Sequence, residues 1–140
     1  MAGEITVNLR QISAATAEAT AGNHRVLVDR PVAKGGTDAG PMGGELFLAA
    51  IGGCFMSNLL AAIRARNAPI SHVNAQVKGR IEDAPARFAA VKLWVTADGG
   101  GDELQHLVQI ADRGCIMMNT LRDKLDVSIE IGASESLIER

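Results

Sequence analysis

The run 46–56 carries no polar side chain except the Cys54 thiol, and the wider span 45–66 predicts one long helix that is apolar on every face. Such a helix has to be covered all round. Its clean apolar run is only about half of what a bilayer needs. Ser57, Asn58, Arg64 and Arg66 then follow at once, so the span predicts the central helix of a soluble core, with Cys54 buried near its middle. Gly52 and Gly53 together cost such a helix about 2 kcal/mol against alanine. That cost is met where another backbone or a substrate must come close, and close helix packing is the simpler of the two.

The flanks alternate with other periods. Ile5, Val7 and Leu9 interleave with Thr6, Asn8 and Arg10, which predicts a half-buried strand over 5–10. A weaker strand, built on alanines, spans 15–21. Gly22-Asn23 fits a two-residue hairpin turn, and 24–29 is the return strand, closed by Pro31. Five glycines and Pro41 make 34–44 a flexible connector to the helix. It has neither the Gly-Lys-Ser/Thr ending of a phosphate loop nor dinucleotide spacing. Beyond Pro69, Val73, Ala75, Val77, Gly79 and Ile81 form the inward face of a strand over 73–81. A turn at Asp83-Ala-Pro-Ala leads to a strand over 88–97, paired antiparallel with it. Asp102 is placed to cap an amphipathic helix over 103–113, built on Leu104, Leu107, Val108 and Ala111 and stopped by Gly114. A further helix over 116–125 and a strand through Val127, Ile129 and Ile131 follow, with a loose tail from Gly132. The order of elements is that of an α+β fold.

Composition narrows the class. A chain of 140 residues is read as a single domain, 1–140. Its net charge of −2 offers no basic patch for nucleic acid and no charged tail. The first residues lack the basic and apolar regions of a signal peptide, so the chain is read as cytoplasmic, with no membrane partner. Two cysteines at this size argue against a disulfide scaffold. Few bulky residues around a fully apolar helix point to a second subunit as its cover, hence a homodimer.

The two thiols are the candidate chemistry. Cys54 reads first as a small buried hydrophobe. Cys115 falls where a helix begins, and free N–H groups there favour a thiolate. Such a pair can form a reversible disulfide once one sulfur is oxidised. Zinc needs four ligands, and His24, His72 and His106 show no ligand spacing with either cysteine. No Gly-x-Ser-x-Gly motif occurs.

Gly40-Pro41, Glu45-Leu46 and Leu48-Ala-Ala-Ile-Gly-Gly-Cys54 together resemble the first cysteine motif of the OsmC/Ohr family, the osmotically inducible and organic hydroperoxide resistance proteins. Ala111-Asp-Arg-Gly-Cys115-Ile-Met-Met-Asn-Thr-Leu121 resembles the second. Asp29-Arg-Pro with Gly35-Gly36 points to the OsmC-like branch. The resemblance implies an α+β intertwined homodimer with antiparallel sheets around a long central helix and active sites at the subunit interface. It implies a thiol peroxidase of the oxidative stress response, with no cofactor. Cys54 attacks the O–O bond of an organic hydroperoxide, Cys115 resolves the sulfenic acid to a disulfide, and an external dithiol restores both thiols. The family supports the first thiol with an arginine held by a glutamate. Arg30 lies in the appropriate loop, alongside Lys34, with Arg10 and Arg25 on strands, and Glu45 is the available glutamate.

Three positions depart from the family pattern. Gly43 replaces its proline, Gly44 its glutamate, and Ile116 the proline after the second cysteine. Glu45 lies nine residues before Cys54, roughly the opposite face of a helix at about 100° per residue, which suits it to the charge at the helix start. The departures keep both thiols and set a second expectation: a catalytically weak dimer that binds an apolar ligand or serves as a redox-responsive structural protein.

Overall fold

The computed structural model describes residues 2–133. The described residues pack as two units that divide between Phe47 and Leu48. In the first, β1 (Asn8–Gln11), β2 (Ala17–Ala21) and β3 (His24–Val28) form an antiparallel sheet in that order. Ala21 pairs with His24 across the predicted Gly22-Asn23 turn, and Gly22 takes the left-handed φ of +58° that the turn requires. β1 is shorter than its alternation predicts. Its pairing with β2 ends at Asn8 opposite Thr20, so residues 5–7 have no partner strand among the described residues, and Ile5 is 89% exposed. β2 also starts late. Ser13 Oγ accepts the N–H groups of Ala15 (3.2 Å) and Thr16 (3.0 Å) and holds residues 13–16 in a turn.

The glycine-rich connector is organised by the Asp29 carboxylate, whose motif the sequence shows but whose structural role it does not. Asp29, 4% exposed, accepts hydrogen bonds from the Thr16 and Thr37 hydroxyls (2.9 and 2.5 Å) and from the backbone N–H groups of Arg30 and Ala39 (2.6 and 3.1 Å). The segment is therefore a clamped loop, not a free connector. A Cβ at Gly36 or Gly40 would run into the backbone of Arg30 or Leu27, so the loop closes only because those residues lack one. The Thr37 hydroxyl, foremost, holds the Asp29 carboxyl well below the usual carboxylate range; burial opposes this, and the Arg30, Ala39 and Thr16 donors add to it. A depressed folded-state value stabilises the fold above the unfolded carboxylate's pKa of about 4 and is lost as pH falls below it. Asp29→Asn is expected to lower the melting temperature near neutral pH. The gap between variant and parent should shrink as pH drops below about 4, read by circular dichroism melts across pH. A gap that stays constant to the lowest pH would exclude a charged clamp.

α1 (Gly43–Ala65) begins in the first unit and runs into the second. By length and composition alone it is long and apolar enough to cross a membrane. It is not covered on every side within one chain. Ile51, Gly52, Phe55, Leu59, Ala62 and Ile63 are buried, while Ala49, Ala50, Gly53, Leu60 and Ala61 are exposed. The paired glycines have different settings. A Cβ on Gly52 would lie 2.7 Å from Val77 Cγ2, so this glycine lets the helix settle on the strand, whereas Gly53 faces open space.

In the second unit, β4 (Ser71–Glu82) and β5 (Arg87–Asp98) pair antiparallel as expected, and β6 (Asp126–Ile131) joins the other edge of β5. That last pairing is parallel, which corrects the expectation of purely antiparallel sheets. Residues 99–125 make the crossover that a parallel pair requires. They contain α2 (Asp102–Arg113) and α3 (Ile116–Leu121). α2 buries Leu104, Leu107, Val108 and Ala111, the predicted face. Gly101, not Asp102, is its N-cap, and Asp102 instead adds negative charge to the first turn. α3 stops at Leu121 rather than continuing to 125. Ile81 is 64% exposed rather than inward, because Arg80 pairs with Ala90 but Ile81 with Phe88, and this bulge breaks the alternation. Val91, Leu93 and Val95 of β5 complete the core with Phe55, Leu59 and Leu107. Gly132 still donates its N–H to the Val95 carbonyl (2.8 Å), and the rest of the expected loose tail lies outside the described residues.

Candidate functional site

Cys54 sits on α1 between exposed Gly53 and buried Phe55, and is itself half-buried. One turn on, Asn58 Nδ2 donates to the Ala111 carbonyl (3.4 Å) and links α1 to the end of α2. α2 ends at Gly114, whose N–H bonds the Ile110 carbonyl (3.1 Å). Cys115 then leaves the helix in an extended conformation as the N-cap of α3, with its N–H on the Asp112 carbonyl (3.2 Å). It is fully buried, at 0% exposure. This reversal returns Cys115 to α1, and the two thiols stand within hydrogen-bonding reach of each other, both reduced.

Their acidities diverge. Burial is the largest influence on Cys54 and pushes it up. The Met117 N–H, the Cys115 thiol and the Ile116 N–H outweigh burial, and the Cys54 thiol lies below its ordinary value. Burial is also the largest influence on Cys115. The Met118 and Met117 N–H groups oppose it, but Cys54 adds to it through its hydrogen bond and its charge, so Cys115 lies above the ordinary value. The expectation for the α3 start is thereby corrected in part: the N–H groups of Ile116 and Met117 favour the thiolate at Cys54, while at Cys115 burial and Cys54 outweigh the N–H groups of Met117 and Met118. The buried-hydrophobe reading suits Cys115 better than Cys54. A half-exposed thiolate backed by a buried thiol can attack an electrophile from solvent, and the second sulfur is positioned to close a disulfide on the first.

The two supporting candidates both lie in the first unit. Glu45 Oε1 accepts the N–H of Met42 (2.9 Å) at the start of α1, the return half of a capping box, as its helical phase suggested. Arg30 lines a cavity of about 840 Å³ with Lys34, Met42, Gly43 and Gly44. Its backbone N–H serves Asp29. Among the described residues, no three of His, Cys, Asp and Glu are grouped to hold a metal ion. His72 instead pairs through Nδ1 with Asp98 on the surface (2.9 Å).

A central helix carrying one cysteine, a helix turn carrying the other, and two three-stranded sheets define an α+β protein with a paired-thiol site. The chain belongs to the family of OsmC-like proteins, whose family model matches residues 35–130. Its fold is that of solved relatives. The OsmC-like protein of Mycoplasma pneumoniae superposes with a TM-score of 0.80 at 14% identity, covering 94% of this chain and 98% of that one. The organic hydroperoxide resistance protein OsmC of Legionella pneumophila gives 0.71 at 19% identity, with 94% and 98% covered. The organic hydroperoxide resistance protein OhrB of Bacillus subtilis gives 0.65 at 23% identity, with 93% and 98% covered. Comparison with curated proteins yields no match.

Proposed function

We propose that the chain is a thiol peroxidase for organic hydroperoxides, working through Cys54 and Cys115. The observation that carries this reading is the pair of adjacent sulfurs with opposed acidities. Family membership, and the description of two relatives as organic hydroperoxide resistance proteins, support it. The Cys54 thiolate attacks the distal oxygen of ROOH, the O–O bond breaks, and the alkoxide leaves as ROH after taking a proton. Cys54 is then a sulfenic acid. The Cys115 sulfur attacks it, the S–OH bond breaks, and water departs as the disulfide forms. An external dithiol returns both thiols by exchange and leaves as its own disulfide. The open face of α1 at Ala49, Ala50, Leu60 and Ala61 is covered in this reading by a second copy of the chain, in the cytoplasm.

Two observations favour a second reading. Gly44 stands where the family has its glutamate, and Glu45 is engaged at the helix start. A weakly catalytic dimer that holds an apolar ligand fits those facts. Consumption of cumene hydroperoxide coupled to oxidation of a dithiol separates the two. The first reading expects repeated turnovers per chain that cease in Cys54→Ser; consumption no faster than with the dithiol alone favours the second.

A further inference from the structure

The corner that carries Cys115 is closed by a clasp whose cation, Arg122, lies just outside the second cysteine motif. Arg122 caps the end of α3, and its Nη2 donates to three acceptors: Asp112 Oδ1 (3.0 Å), the Asp112 carbonyl (3.4 Å) and Asn119 Oδ1 (3.1 Å). Its Nη1 reaches Asp112 Oδ2 at 3.3 Å. The fork of the guanidinium thus spans the end of α2 and the body of α3. Cys115 is held by the same two residues. Its N–H shares the Asp112 carbonyl with Arg122, and its own carbonyl accepts the N–H of Asn119 (2.9 Å). Asn119 Nδ2 also ties back to the Arg113 carbonyl (2.9 Å). The backbone of Cys115 is therefore one hydrogen bond from a residue that the guanidinium grips, on both its N–H and its C=O sides.

The charges at this corner matter as much as the bonds. Burial and an ionised Cys54 both oppose an anion on Cys115. Arg122 offsets Asp112 by pairing with it, and it lies within electrostatic reach of Cys115 and of Asp123. Arg113 is turned away, with its Nε donating to the Gln109 carbonyl (3.4 Å). We propose that Arg122 is a positioning residue for Cys115: its guanidinium, clamped over Asp112 and Asn119, fixes the turn that holds the resolving sulfur and sets a positive charge that favours the thiolate during resolution. The resolving role rests on the proposed function. In that step Cys115 gives up its proton to solvent, its electron pair forms the S–S bond, and the hydroxyl of the Cys54 sulfenic acid leaves as water.

The charge effect is tested apart from peroxide chemistry, in the full chain with Cys54→Ser, where Cys115 is the one thiol left to titrate. Thiolate absorbance is followed against pH with Arg122 intact, with Arg122→Gln and with Arg122→Lys. The Cys115 midpoint should rise in Arg122→Gln and stay close to the parent in Arg122→Lys. In the Arg122-intact chain it should rise toward the Gln value in molar salt, which screens a partly exposed charge. In the chain with both cysteines, disulfide closure by a thiol-specific oxidant at neutral pH should slow about twofold to fivefold in Arg122→Gln, the scale of one such interaction. One midpoint for all three variants, unmoved by salt, overturns the proposal, and the salt series decides the matter if Arg122→Gln fails to fold. If peroxide is not turned over while the midpoints move as stated, the proposed function falls and the role of Arg122 in ionising Cys115 stands.

Discussion

Phe55→Ala is expected to cost about 3–5 kcal/mol of folding stability, the range for truncating a buried phenylalanine. Against a total of about 5–15 kcal/mol for a typical domain, this is a large share. Phe55 is completely buried and follows Cys54 directly on α1, in a core shared with Leu59, Leu93 and Leu107. Removing the ring opens a cavity beneath the helix that presents the thiol, so the same change should also disturb the register between the two sulfurs. In urea, where a small protein loses roughly 1–3 kcal/mol of stability per molar, the unfolding midpoint should fall by more than about 1 M. His106→Ala, on the exposed face of α2, should stay within about 0.5 kcal/mol of the parent. Equal midpoints for Phe55→Ala and the parent would mean that α1 is not anchored as described.

The second large effect is chemical. Cys54→Ser is expected to reduce hydroperoxide turnover by about 10³-fold or more, the scale on which an enzyme fails when its nucleophile is removed. A serine hydroxyl keeps the shape but offers no soft anion near neutral pH. Cys115→Ser should behave differently. Its Cys54 thiolate can still break the O–O bond, so it should consume about one equivalent of peroxide quickly and then stall as a sulfenic acid. That contrast follows from the asymmetry of the site, in which the half-exposed Cys54 sulfur is pushed down by its N–H donors and the buried Cys115 sulfur is pushed up by burial. Two cysteines acting as equivalent thiols would instead give two variants with the same kinetics.

Much of the architecture could be read from local patterns, where one element carries its own signal. α2 is an example: its apolar face recurs at helical spacing and glycines stand at both ends. The β2–β3 hairpin is another, because the Gly22-Asn23 turn fixes its register. What could not be read depends on partners distant in sequence. The parallel seat of β6 is decided by the crossover of α2 and α3, not by the alternation of Val127, Ile129 and Ile131. The outward turn of Ile81 comes from a bulge that its neighbours on β5 create. Asp29 looks like an ordinary loop acid, because its donors come from Thr16, Thr37 and Ala39, which show no common pattern.

The site was legible to the same degree. Both cysteines stood out through the motifs around them, but the assignment of acidity between them did not. A helix start at Cys115 suggested a thiolate there, whereas burial outweighs the N–H groups of that turn at Cys115, and the same turn also serves a sulfur 115 − 54 = 61 residues earlier. The capping role of Glu45 was foreshadowed by its helical phase, since nine residues place it away from Cys54. Arg122 carried no signal at all, because a lone arginine after a short helix is ordinary until its acceptors are known.

In the proposed chemistry, Cys54 and Cys115 join when the protein meets a hydroperoxide. The most direct measurement is peptide mass mapping of the reduced chain after one equivalent of cumene hydroperoxide per chain, quenched with an alkylating agent. The chain should lose two hydrogens, with neither thiol alkylated and a single disulfide connecting the peptides of Cys54 and Cys115 within one chain. Recovery of both cysteines as alkylated thiols, or of Cys54 as a sulfinic acid with Cys115 still free, would contradict that chemistry.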